Sequence, residues 1–204
     1  MVRRYSTAAL PEGAGALLMI EVDGFAAAMA PQIESIRAAA QNEGLLEFRA
    51  AETQEEVAAL WQTRKALSPT LRKIAPKKIN EDVVVPVTEL PALITGLDEL
   101  SGRYGLPIVN FGHAGNGNIH VNLLYDPGKP GEDEKAHDCL DEMFSLVLRL
   151  RGTLSGEHGV GIQKRDYVDR ELDAGALGLM RAVKGQFDPN GILNWGKGFP
   201  AVEQ

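Results

Sequence analysis

Hydrophobic and polar positions follow two different periods along the chain, and each period predicts one type of element. Short apolar runs bounded by turn residues predict strands at 16–22, 45–50, 83–85, 108–111 and 119–124. Longer segments with capping and stop signals predict helices at 26–42, 53–67, 88–104, 165–172 and 175–186. A turn at 188–191 predicts a short closing strand after it.

One further stripe of apolar residues at helical spacing predicts a buried helix face, formed by Ala136, Cys139, Leu140, Met143, Phe144, Val147 and Leu148. The order of elements predicts an α+β fold with a ferredoxin-like antiparallel sheet, helices on one face of that sheet and a helical C-terminal segment. We expect a flexible leader at 1–12, a ferredoxin-like region with a histidine hairpin at 13–125 and a helical region at 126–204.

Three of the four histidines lie in two glycine-rich segments, 112–120 and 155–161. Turn residues between two predicted strands predict a hairpin that brings His113 close to His120. Imidazole and carboxylate groups bind divalent transition metals, and Glu157 offers a carboxylate as a third ligand. His158 points away from Glu157 if the segment is extended, which leaves it available as a general base.

The charge, the cysteine count and the apolar runs of the chain argue against several classes of function. The 204 residues carry a net charge of −7 with a pI of about 5.2, which argues against a general nucleic-acid or anionic-membrane binder. The single cysteine, Cys139, excludes an intrachain disulfide and fits a reducing compartment. No apolar run is long enough for a signal core or a membrane span, so we expect a soluble, cytoplasmic protein.

Three long motifs carry a resemblance to a known family: NFGHAGNGNIHVNLLYDP, GTLSGEHGVGIQKRDYV and FDPNGILNWGKGFP. They resemble the C-terminal part of FAD-linked oxidases of the vanillyl-alcohol oxidase superfamily. The most similar branch is that of the D-2-hydroxyacid dehydrogenases, which includes D-lactate dehydrogenase, D-2-hydroxyglutarate dehydrogenase and the flavin subunit of glycolate oxidase. The resemblance extends over about 13–200 of the chain.

This resemblance implies two cofactors and several partners. FAD would be bound mainly by an N-terminal domain, which we expect to be absent from this chain, so that the isolated chain would be inactive. A divalent metal (zinc, manganese or iron) would bind the substrate, a small D-2-hydroxy acid that is oxidised to the 2-oxo acid. We also expect an apolar docking surface near Phe111, Val160 and Trp195, which meets a flavin-binding domain or subunit and favours a homo-oligomer when uncovered.

The resemblance also assigns roles to individual residues. It implies that His113, His120 and Glu157 hold the metal and that His158 is the base. It further implies substrate contacts by Arg64, Ser68, Lys78 and Asn122, and a position near the flavin for Asn194. The chain departs from the family pattern at Asn116, where an aspartate is usual, and at Trp195, where the motif Asn-Pro-Gly-Lys has proline.

Two other functions remain open from the sequence. The same His/His/Glu set suits a zinc metallohydrolase with His158 as base, although no oxyanion-stabilising group or short His-x-x-x-His helix accompanies it. The alternative is a non-catalytic ferredoxin-like assembly module in which the glycine-rich loops have no catalytic role. Metal analysis and an assay with added flavin would separate these three functions.

Overall fold

The computed structural model describes residues 11–65, 69 and 71–200. The chain forms two compact units, one extending up to Leu71 and the other beginning at Arg72, a boundary that falls inside the predicted region 13–125. In the described part of the chain, no helix combines the length and the apolar character that crossing a membrane requires.

The first unit contains helices α1 (Ala26–Ala40) and α2 (Gln54–Lys65). The predicted capping box opens α2: the Thr53 hydroxyl accepts from the Glu56 amide at 3.2 Å, and the Glu56 carboxylate accepts from the Thr53 amide at 3.0 Å. Both predicted helices are therefore confirmed as helices, although α1 ends two residues before its predicted limit and the last two residues of the second predicted helix, 66 and 67, lie outside the described residues.

The predicted strands at 16–22 and 45–50 are wrong, because the structure assigns no strand to either segment. Several of their apolar side chains are exposed, among them Leu17, Leu18, Ile20 and Leu46. A strand needs a backbone partner as well as β-forming side chains, and the local sequence reports only the second requirement.

The second unit is built on a three-stranded antiparallel sheet in the order β1–β3–β2. Its strands are β1 (Lys77–Val84), β2 (Ile108–His113) and β3 (Asn118–Tyr125). A 3₁₀ turn, Ala114–Asn116, closes the predicted β2–β3 hairpin. The α+β class with an antiparallel sheet is confirmed, and β1 begins earlier than the apolar run at 83–85 suggested.

The two faces of this sheet have different compositions. Helices α3 (Leu90–Tyr104) and α4 (Glu132–Arg149) pack on one face, over Val83, Ile119, Val121 and Leu123. The predicted stripe of α4 is buried there, with Leu148 partly buried at its edge. Because side chains alternate along a strand, the residues between these core positions project from the opposite face.

The segment after α4 covers the free edge of β1. Val84 and Thr153 exchange backbone hydrogen bonds of 3.1 and 2.8 Å, and the Gly156 amide donates to the Asp82 carbonyl at 3.0 Å. Short helix α5 (Val168–Glu171) and helix α6 (Ala174–Phe187) follow, as predicted. The predicted closing strand after 191 is wrong, because that segment forms turns.

The backbone conformation of the β2–β3 turn can be tested by substitution of Gly117. Gly117 has a φ of +78°, and a Cβ at this position would collide with the Val85 carbonyl oxygen. We expect Gly117→Ala to lower the free energy of unfolding by about 1–3 kcal/mol in urea denaturation. Gly115→Ala is the matched control, since its Cβ would meet no atom within 4 Å. Equal stability of the two variants would contradict the turn geometry.

Candidate metal centre

The β2–β3 hairpin brings two histidines to the polar face of the sheet. His120 pairs in register with Phe111, and His113 lies two residues farther along β2 on the same face. Their ring centroids are 5.8 Å apart, in an edge-to-face arrangement. The proximity that the turn residues predicted is therefore present, as a diagonal pair rather than a directly opposed one.

Glu157 completes a cluster of three possible metal ligands. One ligand atom each of His113, His120 and Glu157 lies within 4.8 Å of the other two. The Nε2 atom of His120 is 3.2 Å from Oε1 of Glu157. His120 is buried, whereas His113 and Glu157 are exposed, so the cluster is open to solvent on one side.

The donor set of this cluster fits a divalent transition metal. Burial lowers the pKa of His120, which favours the neutral imidazole that a metal requires. Its Nδ1 atom is buried without a hydrogen-bond partner among the described residues. The ring instead packs against three others, those of Phe111 and His113 at 5.8 Å and that of His158 at 5.3 Å, and these contacts hold its orientation. Two imidazoles and a carboxylate suit zinc, manganese or iron.

The loop that carries Glu157 is anchored to the buried carboxylate of Asp82 on β1. The Oδ2 atom of Asp82 accepts from the amides of Gly156, Glu157 and His158 at 2.9, 2.5 and 2.8 Å. Its Oδ1 atom accepts from Lys164 Nζ at 2.6 Å. These contacts fix the backbone of one candidate metal ligand, Glu157, and of the predicted base, His158.

Two opposing effects act on the ionisation of Asp82. Burial raises the pKa of this carboxyl group, but hydrogen bonds from Lys164 and from the amides of His158 and Glu157 outweigh burial. The pKa of Asp82 therefore lies well below its ordinary value. An ionised Asp82 is the form that accepts from all three amides.

Asp82 also lies beside the side chain of His158. The Nδ1 atom of His158 is 3.5 Å from Asp82 Oδ1, and its ring is stacked on His120 with an interplanar angle of 16°. The Nε2 atom of His158 is 3.9 Å from Glu157 Oε1, so each nitrogen of this ring lies near a carboxylate. The side chain of His158 is half-exposed, so the ring is accessible from solvent next to the three-residue cluster.

Two predicted substrate residues form a polar pair farther along the same face. Asn122 is fully buried, and its side-chain oxygen accepts from Asn80 at 3.0 Å and from Lys78 at 3.5 Å. Its amide nitrogen donates to the carbonyls of Val109 and His120. The side chain of Asn122 thus orders this face, and the partly buried Lys78 is directed to the same point.

The remaining predicted residues lie in other parts of the chain. Arg64 is in the last turn of α2, in the first unit, and Ser68 lies outside the described residues. Asn194 is exposed in the turn after α6 and has a left-handed φ of +47°. The sequence-based prediction missed Asp82 and Lys164. An acidic residue within an apolar strand was the available signal for Asp82, but Lys164 had no local signal.

Comparisons with known proteins show the family to which this chain is similar. Residues 1–198 match the family described as "FAD linked oxidases, C-terminal domain". The chain is 34% identical to glycolate oxidase subunit GlcD of Bacillus subtilis, over 98% of this chain and 42% of that protein. It is 37% identical to D-2-hydroxyglutarate dehydrogenase of Stutzerimonas stutzeri, over 74% of this chain and 33% of that protein.

A mitochondrial D-lactate dehydrogenase of Saccharomyces cerevisiae is 35% identical, over 79% of this chain and 28% of that protein. The chain therefore spans 42% or less of the length of each of these curated relatives. They share one C-terminal module, and most of each relative lies outside the matched region.

Removal of the Asp82 charge tests the anchor. Asp82→Asn removes the nearer of the two carboxylates that contact the buried Lys164 ammonium, so we expect a loss of about 3–5 kcal/mol in the free energy of unfolding. Asp133→Asn is the control, because Asp133 forms a half-exposed ion pair with Lys77 and should contribute about 1 kcal/mol or less. Urea denaturation at neutral pH measures both variants. Equal, small losses would show that Asp82 is not an anchor.

Proposed function

Because the chain belongs to the family of C-terminal domains of FAD-linked oxidases, we propose that it is the substrate- and metal-binding part of a flavin-dependent dehydrogenase. The proposed reaction oxidises a small D-2-hydroxy acid to the 2-oxo acid. The observation that carries this proposal is the convergence of His113, His120 and Glu157 beside His158. Relatives named for glycolate, lactate and 2-hydroxyglutarate support a 2-hydroxy acid as the substrate class.

His113, His120 and Glu157 would hold the divalent metal. A metal in this position would supply a Lewis acid for the hydroxyl and carboxylate oxygens of the substrate, and would lower the pKa of the hydroxyl. The open side of the cluster, next to the exposed His113 and Glu157, gives a small hydroxy acid access to the site.

His158 would remove the proton of the substrate hydroxyl at Nε2. Asp82 beside Nδ1 would stabilise the imidazolium that results, since a carboxylate favours the charged ring. As the C–H bond breaks, its electron pair and hydrogen leave as a hydride, for which FAD bound by the rest of the enzyme would be the acceptor. The substrate thus loses one proton and one hydride and becomes the 2-oxo acid.

The other predicted residues have roles in this proposal according to their chemistry. Lys78 carries a positive charge for a substrate carboxylate, and Asn122 orders the polar face on which Lys78 lies. Arg64 has the guanidinium that suits bidentate contact with a carboxylate, and Ser68 has a hydroxyl that can donate to one. Asn194 would lie on the flavin side of the assembled enzyme.

An apolar surface in the second unit supports a flavin-binding partner. Helix α6 exposes Leu179, Val183 and Phe187 at a spacing of four residues, which places them on one face. The turn that follows exposes Leu193 and Trp195, the latter by 83%. Since the relatives are more than twice as long as this chain, we assign this surface to contact with the flavin-binding part.

Separate variants of the two histidine types test the proposed roles. We expect His120→Ala to abolish metal binding, because it removes the most buried ligand. We expect His158→Asn to retain metal affinity but to lower kcat about 10²–10⁴-fold, because it removes only the base. Metal titration of the chain, and dye-linked oxidation of D-2-hydroxy acids by the flavin-containing protein, measure these effects. Full activity after metal removal with EDTA, or in His158→Asn, would refute the mechanism.

Self-association tests the apolar surface. In the absence of a flavin-binding partner, we expect the 204-residue chain to form oligomers through the exposed residues of α6 and the following turn. Trp195→Glu should shift the chain toward monomer in sedimentation velocity. Trp61→Glu, at an exposed position in the first unit, is the matched control and should leave the distribution unchanged. A chain that stays monomeric at high concentration would contradict this assignment.

A further inference from the structure

Lys164 is a buried ammonium group next to the metal-binding loop, and it is only 4% exposed. Its Nζ atom is 2.6 Å from Asp82 Oδ1, 2.8 Å from the Leu154 carbonyl and 3.1 Å from Glu81 Oε2. A lysine ammonium has three protons, and these three short contacts match that number, with the Asp82 carbonyl oxygen farther away at 3.5 Å. Each proton of the Lys164 ammonium therefore has a nearby acceptor.

The position of Lys164 follows from the topology of the sheet. Glu81 and Asp82 are neighbours on β1, so their side chains leave the strand on opposite faces. Because β1 is an edge strand, a side chain that approaches from outside the sheet can reach both carboxylates. Lys164 contacts both carboxylates in this way. Its third contact is with the Leu154 carbonyl, which belongs to the segment that runs along the edge of β1.

The carboxyl groups around Lys164 explain how this residue can influence the loop that carries Glu157. Glu81 and Asp82 are 3% and 0% exposed, and Lys164 contacts both of these buried carboxyl groups. Without Lys164, the Oδ1 atom of Asp82 would lose an ion pair that helps to hold the carboxylate in its orientation. That orientation lets Oδ2 accept from the amides of Gly156, Glu157 and His158. A change at Lys164 would thus reach the metal ligand Glu157 through one intermediate residue.

We propose that Lys164 is a positioning residue for the metal centre, which acts through the Asp82 carboxylate to hold Glu157 and His158 in place. This inference rests on the proposed function only for the identity of the metal ligands. The role differs from general stabilisation, because it links Lys164 to metal affinity in a chain that remains folded.

The experiment measures Zn²⁺ affinity of the folded 204-residue chain by competition with a chromophoric chelator. We expect Lys164→Met to weaken Zn²⁺ binding about 10–100-fold, the range found when groups that orient metal ligands are removed. Lys164→Arg, which restores the charge, should recover most of this loss. Circular dichroism establishes that each variant is folded at the temperature of the titration.

The chain provides a matched control in a second Lys–Asp pair. Lys184 pairs with Asp188, whose carboxylate accepts from the amides of Ile192 and Leu193 at 2.9 and 3.0 Å. This pair holds the turn after α6 instead of the ligand loop. Lys184→Met should therefore change the Zn²⁺ affinity by less than about threefold, although it removes a similar contact.

Three results would overturn the inference. The first is wild-type Zn²⁺ affinity in folded Lys164→Met, and the second is an equal loss in Lys184→Met. The third result applies if Lys164→Met does not fold. In that case the double variant Lys164→Met, Asp82→Asn removes the charges of Lys164 and Asp82 together, and wild-type Zn²⁺ affinity in that variant would overturn the inference. A chain that binds Zn²⁺ with the expected dependence on Lys164 but oxidises no 2-hydroxy acid would instead refute the proposed function and support this inference.

Discussion

The carboxylate of Asp82 accepts hydrogen bonds from the consecutive amides of Gly156, Glu157 and His158, and the arrangement of the metal centre depends on this contact. It joins a strand to a loop that is 74–76 residues away in sequence. One of the three residues is a metal ligand in the proposed site and the next is the proposed base. A single carboxylate thus sets the backbone positions of two chemically different groups.

The sheet provides the rigid support for this contact. Its apolar face is packed against α3 and α4, while its other face carries His113, His120 and Asp82. Asp82 and His120 are paired in register on adjacent strands, so the anchor of the loop and the buried candidate ligand are fixed by the same backbone ladder. The site therefore combines ligands on strands with one ligand on a loop, and Asp82 connects the two.

Two features that depend on residues close together in the sequence were predicted correctly. The hairpin that joins His113 and His120 followed from its turn residues, and the buried stripe of α4 followed from helical spacing. The strands at 16–22 and 45–50 were wrong, because pairing depends on a partner that local propensity does not specify. Asp82 and Lys164 were missed for a related reason, because their contacts with each other and with the loop span 74–82 residues. The acidic residue in an apolar strand was a local signal for Asp82, but it did not indicate the partners of that residue.

A crystal structure of the chain grown with Mn²⁺ or Zn²⁺ tests the account most directly. We expect one metal ion with ligand distances of about 2.0–2.2 Å to a nitrogen of His113, a nitrogen of His120 and a carboxylate oxygen of Glu157. Asp82 should remain hydrogen-bonded to the three amides of the loop and should not bind the ion. A metal bound by Asp82 or His158 in place of these ligands, with the loop released from Asp82, would contradict the account.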